Sequence, residues 1–147
     1  MTKEGSILYF PEFFFKNGNP SKPKYFIVLK YDDQGRAILA SLPSSKDHLP
    51  SFEEIRHGCL NSDRAQMNCY IFMADNVITD CGWSFPLNTF VYGNQIDAYE
   101  LDMLEDVYPV EESDWEIVGL LTSDEYTALI SCLANSPWVK RKYKKML

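Results

Sequence analysis

Short apolar runs separated by turn formers dominate the chain, and a single helical repeat stands near its end. Ser6-Ile7-Leu8-Tyr9-Phe10 follows Gly5 and reads as a first strand interrupted by Pro11. Phe13-Phe14-Phe15 comes next, and then Lys16-Asn17-Gly18-Asn19-Pro20-Ser21, a segment dense in turn formers that predicts a loop. Tyr25-Phe26-Ile27-Val28-Leu29-Lys30 is the strongest strand signal, and its nearly unbroken apolar run predicts burial on both faces. Asp32-Asp33-Gln34-Gly35 predicts a hairpin turn leading into an antiparallel strand over residues 37–42, which Pro43-Ser44-Ser45 ends.

From residue 49 to 66 the pattern weakens, predicting a long loop with a short helix near residues 51–57. Further strands are predicted at Cys69-Tyr70-Ile71-Phe72-Met73, Thr89-Phe90-Val91-Tyr92 and Trp115-Glu116-Ile117-Val118-Gly119-Leu120. Residues 96–104 fit either another strand or an acidic connector. Thr122-Ser123-Asp124-Glu125 spells a capping box, in which Thr122 accepts from the Glu125 amide and the Glu125 carboxylate returns to the Thr122 amide. Tyr126, Leu129, Ile130 and Leu133 then fall on one helical face, and Ser136-Pro137 stops the helix. Short strands followed by one amphipathic helix predict a mainly β fold, a small antiparallel barrel covered by its C-terminal helix.

Composition narrows the class. At 147 residues, 46% hydrophobic and 14% aromatic, the chain suffices for one domain with its own core. The expected division is a single domain over 1–139 with a basic tail over 140–147. No stretch approaches a membrane span, and the N-terminal residues hold no apolar segment of signal-peptide length. Cys59, Cys69, Cys81 and Cys132 form no CxxC pair, so reduced, buried thiols and a cytoplasmic protein are expected.

Charge is unevenly placed. The net charge is −7, yet residues 65–139 carry thirteen acids and no Lys or Arg, whereas residues 140–147 carry five basic groups and no acid. A surface for nucleic acid can therefore draw only on the first 64 residues and the tail. That tail either contacts phosphate or folds back on the acidic stretch. Residues 97–116, with nine carboxylates, read as a solvated face or as a surface for a basic partner.

The order of features resembles the MazF/PemK/Kid family of toxin–antitoxin endoribonucleases. The resemblance is carried by Gly5-Ser6-Ile7, the glycine-containing loop at residues 16–21, and Lys22-Pro23 before the second strand. It continues through Leu42-Pro43-Ser44-Ser45, Phe90-Val91-Tyr92-Gly93-Asn94-Gln95-Ile96 and Val118-Gly119-Leu120-Leu121. It implies an SH3-like barrel, metal-independent cleavage of single-stranded RNA without a cofactor, an antitoxin-like protein partner and a homodimer. The aromatic run at Phe10, Phe13, Phe14 and Phe15 is the expected dimer contact.

On this resemblance Ser44 and Ser45 match a Thr-Ser position of the family, and Gln95 matches its Gln. Lys22 stands where the family has Arg and keeps the charge without the bidentate fork. Tyr92 and Asn94 replace an Arg and an Asp that serve some members as acid and base, and Asn does not exchange protons near neutrality. The expected site therefore comprises Ser44, Ser45 and His48 for chemistry. Lys22, Lys24, Lys46, Tyr92, Asn94 and Gln95 are expected to bind substrate. His48 is the natural proton carrier because imidazole titrates near neutral pH; as an alternative it is an exposed loop residue, and His57 is a weaker candidate. No Ser/His/Asp order, phosphate-cradling glycine loop or metal-ligand spacing is present. Two functions follow: an RNA endonuclease, or an inactive barrel that binds protein or nucleic acid.

Overall fold

The unbroken apolar run of the second strand is buried on both faces because that strand lies mid-sheet. The computed structural model describes residues 2–147. The first strands are β1 (Ser6–Phe13), β2 (Lys22–Tyr31), β3 (Ala37–Ser41), β4 (Gly58–Ser62), β5 (Met67–Phe72) and β6 (Thr89–Tyr92). They are followed by β7 (Asp97–Glu100), α1 (Leu101–Val107), β8 (Glu116–Leu120), α2 (Ser123–Ala134) and α3 (Arg141–Lys144).

One antiparallel sheet has the order β7-β3-β2-β1-β8, and a second has the order β4-β5-β6. Phe26 and Val28 of β2 point into an aromatic cluster with Phe10, Phe13, Tyr108 and Trp115. Ile27 and Leu29 point the other way, into the larger core with Tyr70, Phe72, Leu129 and Leu133. The chain after β3 ties the sheets together, with reciprocal backbone hydrogen bonds between Ser44 and Phe90 of 3.0 and 2.7 Å. The fold is thus mainly β with a helix near its C-terminus, built on two antiparallel sheets of five and three strands.

Several expectations are corrected. β1 runs through Pro11, where a register shift between Phe10 and Phe13 accommodates the missing N–H. Phe10 and Phe13 are fully buried in the core with Leu104 and Tyr108, and of that run only Phe14 is well exposed, at 53%. No helix forms near residues 51–57. Instead β4 arises inside the predicted loop and pairs with β5, Cys59 opposite Tyr70. Its sequence, Gly-Cys-Leu-Asn-Ser, has none of the β-branched or aromatic residues that announce strands. Residues 96–104 divide between β7 and α1.

The cysteine expectation is also corrected: Cys59 and Cys132 are joined by a disulfide, with Cα atoms 5.5 Å apart. β4 lies against α2, a proximity that a sequence separation of 73 does not reveal. Cys69 is free and buried, and Cys81 is free and exposed. The premise of reduced thiols behind the cytoplasmic expectation therefore falls. Among the described residues no helix is long and apolar enough to cross a membrane.

Half of the capping box forms. The Glu125 amide donates to Thr122 Oγ1 at 3.2 Å, but the Thr122 amide donates to the Ile78 carbonyl at 3.0 Å. The Glu125 carboxylate is thereby released to tertiary partners. The basic segment 140–147 folds back onto the acidic stretch through a tyrosine: Tyr143 of α3 is buried and donates to Asp97 Oδ1 at 2.7 Å.

Candidate functional site

The loop over residues 14–21 forms one wall of a cleft because its lysine is anchored across the sheet. Lys16 Nζ lies 3.1 Å from Asp97 Oδ2, also donates to the Ala98 carbonyl, and sits 4.2 Å above the Tyr99 ring. Burial works against ionisation of Asp97, but the hydrogen bonds from Tyr143 and Lys16 outweigh it and hold its pKa below the usual value. Asn17, Asn19 and Pro20 of this loop face the start of β2 and the turn after β3 across a space of about 700 Å³.

Six of the expected site residues line this cleft: Lys22, Lys24, Ser44, Lys46, His48 and Gln95. Strand register explains the first two. Lys22 stands opposite Phe13 and Lys24 opposite Phe10, so both side chains emerge at the end of the sheet where β1 departs. Lys24 Nζ donates to the Pro43 carbonyl at 3.0 Å, joining the β2 entry to the serine turn. Burial, and then the repulsion of Lys22 and Lys46, lowers the Lys24 pKa. Among the described residues the only ion pairs are Lys16 with Asp97 and His57 with Glu125, so this lysine cluster has no carboxylate partner.

The serines diverge. Ser44 faces the cleft, held by its pairing with Phe90, and its Oγ accepts from the Lys46 amide at 3.0 Å. Ser45 faces a neighbouring pocket of about 210 Å³ walled by Tyr9, Tyr25, Pro43 and Phe85, which Lys24 also lines. His48 is exposed at the cleft, and its amide donates to the Tyr92 hydroxyl at 2.9 Å. Tyr92 is buried and donates to the Lys46 carbonyl at 2.6 Å. It braces the loop bearing Lys46 and His48 from beneath and does not open into the cleft. Burial raises its pKa, consistent with a neutral strut. Asn94 is exposed on the 3-10 turn Gly93–Gln95 and does not line the cleft, whereas its neighbour Gln95 does.

A second polar cluster was outside the expected site. His57 Nε2 lies 2.6 Å from Glu125 Oε1, and the Tyr70 hydroxyl donates to Glu125 Oε2 at 2.6 Å. The Met73 amide donates to His57 Nδ1 at 3.3 Å, and Asn76 Nδ2 lies 3.1 Å from the same nitrogen. Burial, followed by the hydrogen bond to Glu125, pushes the Tyr70 pKa well up. Both imidazole nitrogens and both carboxylate oxygens are occupied, so this network ties the segment before β4 to α2. Only His57 was visible as a candidate in the sequence, because its partners lie 13 to 68 residues away.

In the lysine cleft, three ammonium groups, a hydroxyl and an imidazole face one open space. This set can hold a phosphodiester by charge and hydrogen bonding. Comparison of the chain with protein-family models, with curated proteins and with solved structures finds no match.

Proposed function

We propose that the chain is a MazF/PemK-like protein of SH3-like barrel type that binds single-stranded RNA, with the backbone phosphates lying among Lys22, Lys24 and Lys46. The observation that carries this reading is an unneutralised lysine cluster in one cleft of a protein whose net charge is −7. Burial, and after it the repulsion of Lys22 and Lys46, lowers the Lys24 pKa, and an incoming phosphate offsets the repulsive part. In a protein of net negative charge such a cluster makes a local positive field that draws anions to the cleft. Ser44 and Gln95 supply neutral hydrogen bonds at the rim, and a flexible single strand fits the open cleft better than a rigid duplex. An antitoxin-like protein competing for the cleft and a second copy of the chain are the partners this reading implies.

A second reading, cleavage, is favoured by His48 facing the same cleft. In that reaction a ribose 2′-oxygen attacks the adjacent phosphorus. A 2′,3′-cyclic phosphate forms, the P–O5′ bond breaks, and the 5′-oxygen takes up a proton. His48 accepts the 2′ proton and the lysines stabilise the charge that builds on phosphate. With Tyr92 turned inward and Asn94 off the cleft, binding is the better supported of the two.

Incubation with a long single-stranded RNA in EDTA separates them. Binding without cleavage is the expected result, and loss of binding in a Lys22→Ala/Lys46→Ala protein places the RNA in the cleft. Discrete fragments that disappear in His48→Ala establish the nuclease reading instead. Absence of any RNA binding at low salt contradicts both.

A further inference from the structure

The aromatic pocket next to the lysine cleft shares Lys24 with it and holds Ser45 of the expected site. Tyr9 and Tyr25 stand cross-strand neighbours with ring centroids 5.3 Å apart, and Phe85 meets Tyr25 edge-on at 5.2 Å. Trp83 backs the pair, 5.4 Å from Tyr25 and 4.8 Å from Phe85. These contacts fix the aromatic faces before any ligand arrives. At the mouth Leu87 is 61% exposed, the most exposed of the large hydrophobic side chains, so the rim presents apolar surface to solvent. The space of about 210 Å³ is smaller than the roughly 300–1,000 Å³ of pockets for drug-sized ligands, which suits one flat ring system.

We propose that this pocket receives one unpaired nucleobase of the strand whose phosphate lies among the lysines, an inference that rests on the RNA-binding reading. Lys24 lines both spaces, so a phosphate beside it places the attached nucleoside at the pocket mouth. The base lies against the Tyr9 and Tyr25 rings with the Ser45 hydroxyl at its polar edge, while Thr89 Oγ1, which donates to the Leu87 carbonyl at 2.8 Å, is left only to accept. An apolar side chain of a protein partner fills the same volume but leaves the lysines of the shared wall uncompensated, which favours the nucleotide.

The test compares a single-stranded RNA with an abasic phosphodiester oligomer of equal length by fluorescence anisotropy. It also follows the indole N–H resonance of Trp83 in spectra recorded with added phosphate-free nucleosides. RNA is expected to bind about tenfold or more tightly than the abasic strand. Tyr9→Leu is expected to reduce RNA to the abasic affinity without changing abasic binding, and nucleosides are expected to shift the Trp83 resonance. Equal affinities for the two oligomers with an unmoved Trp83 resonance overturn the base pocket and leave the phosphate cleft standing. Failure of the abasic oligomer to bind, with Trp83 still responding to nucleosides, overturns the phosphate cleft and retains the pocket. Because the nucleoside measurement uses the unaltered protein, a folding defect in Tyr9→Leu does not decide the outcome.

Discussion

Lys24 carries opposite demands of stability and binding. Burial and the two neighbouring lysines disfavour its charged form, which costs the folded state stability. Its folded pKa lies below the ordinary 10.5, so the unfolded chain binds more protons between the two values and stability rises with pH across that window. Lys24→Met is accordingly expected to hold or raise Tm at pH 7 while weakening RNA binding about tenfold. The Tm advantage should shrink as pH climbs toward 10.5. Thermal denaturation at pH 7 and near pH 10, with an RNA titration, checks both parts. A lower Tm at pH 7 together with undiminished affinity sinks the assignment. Lys22 and Lys24 were legible in the sequence around Pro23 at the entry to the second strand, and Lys46 and His48 just after Pro-Ser-Ser. What was not legible is Tyr92 turned inward, because a strand written Thr-Phe-Val-Tyr carries no alternation that separates its faces, and all four residues are buried.

At the scale of elements, α2 is held by contacts far from it in sequence. Its carboxylate Glu125 serves Tyr70 and His57 and does not complete the local capping box. Glu125→Ala is expected to cost roughly 2–3 kcal/mol, against about 1 kcal/mol for Thr122→Ala. Urea unfolding of the two variants orders them, and an equal cost would mean that the carboxylate adds nothing beyond the cap. The Cys59–Cys132 disulfide holds the same helix to β4 across 73 residues of chain. Replacing both cysteines by serine is expected to remove roughly 2–4 kcal/mol and lower Tm by about 5–15 °C. Calorimetry checks this, and a Tm equal to that of the unaltered protein, in a sample shown by mass spectrometry to be oxidised, would contradict it. Strands rich in Ile, Val, Phe and Tyr, and the spacing of Leu129 and Leu133, could be read directly. β4 could not, because its pairing with β5 and the helix decides its conformation where its residues do not.

At the scale of the molecule, acids and bases are segregated. The chain from 65 to 139 is without Lys or Arg, so the cleft's positive charge comes wholly from β2 and the turn after β3. The five basic groups of the tail follow a different course, since Tyr143 anchors α3 to Asp97, the same carboxylate that Lys16 binds. The sequence showed this segregation as blocks of charge, and the convergence of residues 22–24 with 44–48 was expected from the family resemblance; the β1–β2–β3 register is what brings the two segments together. If these three lysines receive the RNA backbone, the number of counterions released is small and countable. The most direct measurement is the affinity for a single-stranded RNA as a function of salt, for the unaltered protein and for Lys46→Ala. A slope of log K against log salt of about −2 is expected for three phosphate contacts, reduced by about 0.7 in the variant. A slope near zero, or one that Lys46→Ala leaves unchanged, would contradict the lysine cleft as the RNA site.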